Sequence, residues 1–284
     1  MLLDIIQPIF SYQNKVDPIL PESSLTLYIE IGQYHLAHFA LSSSGDVFTN
    51  YSLYKTTDQL NADSVVEFLQ DSTLFQKPYA KQVIVHHSSE VVLMPNDIYA
   101  LAPEKIILDT VHGDKIEYKI FRDEIDQWNM VNVFEVDVKI TETSSKLFSS
   151  VSHTHINSLA INAVDRNNAK AENGLINIIF YPSSIHLSVF MGNALKLSQT
   201  YFYETKDDIS YYLLSVMDTY QLDNEKVSMR VSGFIQNDSI FMGAIKEHVL
   251  DAQFSIPAVH LNTLDDSKFP LHYFTPLFLT TQCV

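Results

Sequence analysis

The sequence predicts an α/β protein with mixed sheets, built from two tandem βββαβ units. Three observations predict it. Leu25–Tyr54 resolves into three short apolar runs whose connections allow only hairpins, because a parallel return needs a crossover of about a dozen residues. An amphipathic helix at Asn61–Leu69 and an apolar run at Gln82–His86 follow, the strand–helix–strand order that sets a strand parallel to an earlier one. Leu175–Tyr203, Asp208–Tyr220 and Lys226–Gly233 then repeat that order. Element order carries the duplication, while residue identity does not. With the helices Val65–Leu69 and Tyr211–Ser215 aligned, Ile84 falls on Arg230 and Val85 on Val231. A duplicated fold places a cleft between its halves, and ligands are expected there.

Residues 1–24 carry Pro8, Pro18 and Pro21 among polar residues and read as an irregular arm. The first domain is assigned to residues 25–172. Its opening strand, Leu25–Ile31, begins as alternation, becomes uniformly apolar and stops at Gly32. Tyr34–Leu41 is the second strand, Ser42–Asp46 a loop and Val47–Tyr54 the third strand. Asn61, or alternatively Ser64, caps a helix whose apolar stripe is Val65, Val66, Phe68 and Leu69. Lys81–His87 is a strand. Val91–Met94 reads as a short strand or a turn into a helix near Asp97–Leu101, closed by Pro103. Signals weaken after this point. Lys115–Phe121 alternates Ile116, Tyr118 and Ile120 with charged residues, so one face is wet. Met130–Ile140 reads as a strand, Thr143–Ser149 as a short helix and Ile156–Ala163 as either.

The polar run Asp165–Gly174 marks the boundary, and residues 173–268 form the second domain. Its strands are Leu175–Tyr181, Ile185–Phe190 and Leu195–Tyr203. Asp207 or Asp208 caps the helix that carries Ile209, Tyr212, Leu213, Val216 and Met217. Alternating Val227, Met229 and Val231 make the next strand. Residues 269–284 form an apolar tail that packs on the first domain or in the cleft, or else docks on a partner through its aromatic residues. Pro270 and Pro276 favour an extended tail over a helix.

The 284 residues are 46% hydrophobic and 18% charged, a globular composition, with 15 tyrosines and 17 phenylalanines that suit strands and contact surfaces. A net charge of −16 argues against nonspecific nucleic-acid binding and against attraction to anionic membranes. The single cysteine, Cys283, closes no intramolecular disulfide and supports no thiolate metal cluster. Met1–Phe10 lacks a basic n-region and is interrupted by Asp4, so it does not read as a signal peptide. No run reaches membrane-spanning length, and a cytoplasmic protein is expected.

Three antiparallel strands, a crossover helix and a fourth strand form the core of the ribonuclease H-like fold. Two copies in tandem resemble the actin-like ATPase superfamily, which includes sugar kinases, chaperone ATPases and pilus and cell-division assembly proteins. The Leu27-Tyr28-Ile29-Glu30-Ile31 strand, the Ile178-Ile179-Phe180-Tyr181 strand and the Pro270-Leu271-His272-Tyr273-Phe274 segment resemble, more narrowly, a Bacteroidetes family of unknown function with that fold. The resemblance implies where a nucleotide site would lie. Active relatives open each half with an Asp-x-Gly phosphate loop, and the first half has Glu30-Ile31-Gly32 in that place. The extra methylene of Glu30 displaces its carboxylate in a tight magnesium shell. The second half offers Tyr181-Pro182-Ser183, without a carboxylate and with a proline that cannot donate an N–H. The Gly-Gly pair that relatives hold against adenosine is matched by Ser232-Gly233-Phe234. Glu30, Gly32, Ser183 and Gly233 are therefore the degenerate nucleotide-site positions, and ATP hydrolysis by the usual route is not expected. Gly32 and Gly233 also read as strand ends or turns needing positive φ, and Glu30 as a paired or edge carboxylate rather than a metal ligand.

Other chemistry is sparse. His153 and His155 would share one face of a strand, as zinc ligands can, but read better as polar surface histidines. His86 and His87 would point to opposite faces. Asp109, His112 and Asp114 around Gly113 have the composition of a solvated loop. No Gly-x-Ser-x-Gly, P-loop or His-Glu-x-x-His motif occurs. The expectation is a non-catalytic actin-like scaffold with a protein partner, no cofactor and no metal. The alternatives are an ATP-dependent phosphotransferase or ATPase using Glu30, and a binder of a neutral or cationic small molecule in the cleft.

Overall fold

A computed structural model describes residues 7–12, 21–42, 47–71, 75–164, 173–256 and 269–279. The chain forms two compact units, and the boundary falls after Ser158.

The first unit carries β1 (Phe10–Tyr12), β2 (Leu25–Ile31), β3 (His35–Ser42), β4 (Phe48–Lys55), α1 (Ala62–Asp71) and β5 (Lys81–His86). Then come β6 (Val91–Pro95), α2 (Asn96–Tyr99), α3 (Glu104–His112), β7 (Tyr118–Ile125), β8 (Met130–Asp137), α4 (Val138–Leu147) and β9 (Val151–His155). α5 (Ile156–Asn162) contains the boundary. The main sheet runs β1-β4-β3-β2-β5-β9, and a second sheet runs β6-β8-β7. β2, β5 and β9 are parallel, and β2, β3 and β4 form the antiparallel meander. Alternation along β2 sends Ile29 and Ile31 into a core with Leu36, Val65, Phe68, Leu69 and Ile84, which Phe134, Val136 and Ile140 complete. Tyr28 and Phe39 stack at 4.8 Å and Phe39 meets Phe48 at 5.9 Å, so aromatic rings supply a second packing layer. Asn61 Oδ1 accepts from Ser64 N at 2.9 Å and caps α1.

The second unit carries β10 (Leu175–Phe180), β11 (Ser184–Met191), β12 (Ala194–Phe202), α6 (Lys206–Thr219), β13 (Ser228–Gly233), α7 (Ile240–His248), β14 (Asp251–Phe254) and α8 (Thr275–Leu279). Its sheet runs β12-β11-β10-β13-β14. Thr205 and Asp208 form a reciprocal capping box on α6. Ile176, Ile178, Leu187, Ile209, Leu213, Val231 and Ile245 build its core. The expected βββαβ order is present in both halves.

Several expectations need correction. The arm contains a strand, since β1 pairs with β4. The segment read as a solvated loop holds α3, and both Asp109 and His112 lie on that helix. β8 stops at Asp137, whose carboxylate accepts from Lys139 N at 2.7 Å and starts α4 earlier than the sequence suggested. Ile156–Asn162 resolves as helix. The described part of the tail, residues 269–279, is neither extended nor an exposed docking strip. It forms a 3-10 turn at Leu271–Tyr273 and then α8, both packed on β13 of the second unit, with Phe274 and Leu277 buried. Thr275 Oγ1 donates to Ser255 O at 2.7 Å, and the His272 ring stacks on Phe254. Pro276 sits in the first turn of α8, where its missing N–H breaks no helical bond. Cys283 lies outside the described residues.

Candidate functional site

Three strand ends of the first unit bring Glu30, His35 and His87 together. Glu30 stands on β2 between two core residues, so the pleat turns its side chain to the opposite sheet face. Gly32 N donates to His35 O at 2.9 Å across the turn and sets His35 at the start of β3. His87 follows β5, its N–H bonded to Ile31 O at 2.9 Å. Glu30, His35 and His87 retain only 1%, 2% and 6% of their exposure. Each presents one ligand-competent atom, and these atoms lie within 4.8 Å of one another. The His35 and His87 rings meet edge to face at 4.8 Å. Glu30 Oε1 has no hydrogen-bond partner among the described residues. Burial pushes the Glu30 carboxyl up to about 7 and the His35 ring down to about 4.

Gly32 has no positive φ, contrary to the turn reading; its role is steric. A Cβ there would stand 2.1 Å from His35 Cε1 and 2.2 Å from Nδ1. Only a glycine admits the imidazole. Gly233 does take φ +85°, and a Cβ on it would meet Phe180 O at 2.2 Å.

Beside His87 lies a cavity of about 500 Å³, also bordered by Gly32, Gln33 and the start of α1. Its charged lining is Asp63, Glu90, Glu135 and Asp137. Lys139 reaches Asp63 at 2.7 Å, and Lys115 pairs with Glu90 and lies 3.7 Å from Glu135. Four carboxylates against two lysines leave a surface that repels a triphosphate and suits a cation.

Hydrogen bonds fix how the two halves correspond. Tyr181 N donates to Ser184 O and Phe234 N to Phe180 O, both at 2.8 Å, repeating the bonds of Gly32 and His87. Ile31 pairs with Leu36 and His86, as Phe180 pairs with Ile185 and Gly233. Ile84 therefore corresponds to Val231, one residue from the sequence alignment. Glu30-Ile31-Gly32 corresponds to Ile179-Phe180-Tyr181 rather than to Tyr181-Pro182-Ser183. Ser183 lies beyond the equivalent of Gly32, in the turn where its carbonyl accepts from Tyr203 N at 3.1 Å. The places of Glu30, His35 and His87 are held by Ile179, Ser184 and Phe234. Of the four degenerate nucleotide positions, Glu30 and Gly32 belong to the first unit, and Ser183 and Gly233 to the second.

His155 is not a surface histidine, and His153 is half-buried. His86 Nε2 and His153 Nδ1 are 2.9 Å apart, and His155 is fully buried, with Nε2–H donating to Ser88 O at 3.0 Å. Burial pushes His153 and His155 down to about 4. Asp123 Oδ2 accepts from Thr154 Oγ1, His155 N and Ser158 Oγ at 3.0, 2.8 and 2.6 Å, tying β9 to β7. His86 faces this group and His87 faces Glu30, the opposition that strand alternation predicts. The grouping of Glu30, His35 and His87 has no sequence spacing to reveal it, since its members come from three strands. The one signal was an acidic residue inside an apolar strand.

The model of a family described as a protein of unknown function, DUF3822, matches residues 18–251. No curated protein matches the chain. A Bacteroides thetaiotaomicron protein with an actin-like ATPase fold and unknown function is similar at TM-score 0.74 and 12% identity, covering 93% of this chain and 97% of that one. The PilM–PilN type IV pilus biogenesis complex gives TM-score 0.57 at 12% identity, covering 92% and 97%. The ethanolamine utilization protein EutJ from Carboxydothermus hydrogenoformans gives 0.51 at 6% identity, covering 95% and 92%. At these identities the likeness establishes the actin-like fold alone.

Proposed function

Since the chain belongs to DUF3822, a family of unknown function, we propose that it is a non-catalytic actin-like scaffold that works through protein contact. The observation that carries this reading is the closed state of the first phosphate-loop position. The side of Gly32 that a phosphate would approach is filled by the His35 ring, and Glu30 is sealed from solvent. The backbone donors of the first unit that would face an anion there are already spent: Gly32 N on His35 O and His87 N on Ile31 O. The acidic cavity adds repulsion against a triphosphate. Among similar folds, the PilM–PilN complex is itself a protein assembly, which agrees with this reading.

The test is thermal stability and phosphate release in millimolar ATP with magnesium. A ligand at 100 times its dissociation constant adds about 2.7 kcal/mol to native stability. The scaffold reading predicts no shift and no phosphate; a shift with turnover abolished by Glu30→Gln establishes the ATPase alternative instead. A second reading, binding of a cationic small molecule, is favoured by the four carboxylates of the cavity. Spermidine titrated into the protein should then raise stability, and Glu90→Gln with Asp137→Asn should remove the shift.

A further inference from the structure

We propose that Glu30, His35 and His87 form a buried zinc site that pins together the ends of β2, β3 and β5. This inference goes beyond the scaffold reading and does not depend on it. Two imidazoles and one carboxylate are a zinc donor set, softer than the all-oxygen shell that magnesium or calcium takes. The three ligand atoms already lie within 4.8 Å of one another, and closing on an ion brings them to about the 3.3 Å spacing of donors around a tetrahedral zinc.

Two further observations point to a ligand. Glu30 is 1% exposed, and its Oε1 has no hydrogen-bond partner among the described residues. A buried carboxylate oxygen in that condition is a standing penalty, which a cation held between it and the two rings removes. The second half supplies an internal control. The same strands and the same backbone hydrogen bonds place Ile179, Ser184 and Phe234 at the three positions, with no ionisable group among them. The fold therefore does not require acid and imidazoles at these strand ends; the first half has them for another purpose. Gly32 belongs to the same arrangement, because any side chain there would displace the His35 ring. The neighbouring cavity borders His87 and Gly32 and has room for water.

The experiment uses the full chain without a histidine tag, stripped with EDTA and then titrated with zinc chloride. Expected are one zinc per chain by mass spectrometry, a raised melting temperature, and a zinc-edge X-ray absorption spectrum with imidazole and oxygen donors and no sulfur. Glu30→Gln and His87→Gln should each weaken zinc at least about 100-fold, beyond what loss of a supporting residue costs. His153→Gln, which disturbs the other histidine pair, should retain it. Because substitution of a buried group can unfold the protein, the spectrum of the unaltered chain decides independently. No zinc uptake at micromolar free metal, sulfur in the first shell, or unchanged affinity in folded Glu30→Gln and His87→Gln proteins would overturn the proposal. Nucleotide binding that leaves Glu30 in place would overturn the scaffold reading and leave this one standing.

Discussion

Replacing Gly32 by alanine tests whether this glycine serves His35 rather than a phosphate. The new Cβ would lie 2.1, 2.2 and 2.8 Å from Cε1, Nδ1 and Nε2 of His35, against the face of the ring. Ordinary contact begins near 3.4 Å, so the ring must move by about an ångström. It is 2% exposed and held edge to face against His87. Overpacking of this kind costs about 1–3 kcal/mol. His35→Ala alone also destabilises, by opening a cavity. In the double variant the methyl meets no ring, so the two losses do not add, and the coupling should be about 1–3 kcal/mol. Urea unfolding of the four proteins measures it, followed by two probes because a chain of two units need not unfold in one step. A neutral Gly32→Ala, or losses that simply add, would refute the steric account and reopen Gly32 for a ligand.

Other outcomes follow from named contacts. Gly233→Ala should destabilise more than Gly32→Ala, because φ is +85° and the obstruction is the Phe180 carbonyl, which cannot rotate away; an equal or smaller loss in the same unfolding assay contradicts this. Gly243, inside α7, has nothing within 4 Å of its Cβ position, so Gly243→Ala should stabilise by about 0.5–1 kcal/mol, and a measured loss would contradict the packing of that helix. Phe274→Ala should cost about 3–5 kcal/mol and show in the unfolding of the second unit, whereas a neutral result means the tail is not docked on β13. His153 and His155 titrate near 4 when folded, against an ordinary value of 6.5. Between those values the unfolded chain binds protons that the native chain refuses, so stability rises with pH across this window and is lost on acidification, by up to about 3 kcal/mol per ring. His86 and His35 act in the same direction; Asp123, raised by burial, opposes them from 3.8 upward, and Glu30, pushed up to about 7, opposes them between 4.5 and 7. Urea midpoints that stay flat from about pH 7 to about pH 4.5 would contradict the burial of this group.

The repeated strands were legible because their periodicity is strong. β2 and β10 are bounded by turns and followed by helices with clear stripes at Val65–Leu69 and Ile209–Met217. α3 was hidden because only Leu108 of its nine residues is buried, and Asp109, Gly113 and Asp114 carry turn chemistry. α8 was hidden because Pro276 looks like a helix breaker unless its place in the first turn is known. The correspondence between halves slipped because identity is too low to set register, which backbone hydrogen bonds fix directly. In the sequence Glu30 stands out only as the residue at a magnesium position. That His35 and His87 join it follows from β3 and β5 flanking β2, a fact of topology that spacing along the chain does not encode.

The most direct measurement is a crystal structure grown with both magnesium ATP and zinc chloride, with anomalous data at the zinc edge. The account predicts an anomalous peak ligated by Glu30, His35 and His87, and no nucleotide at Gly32. A triphosphate ordered against Gly32, with Glu30 turned toward its magnesium, would contradict it.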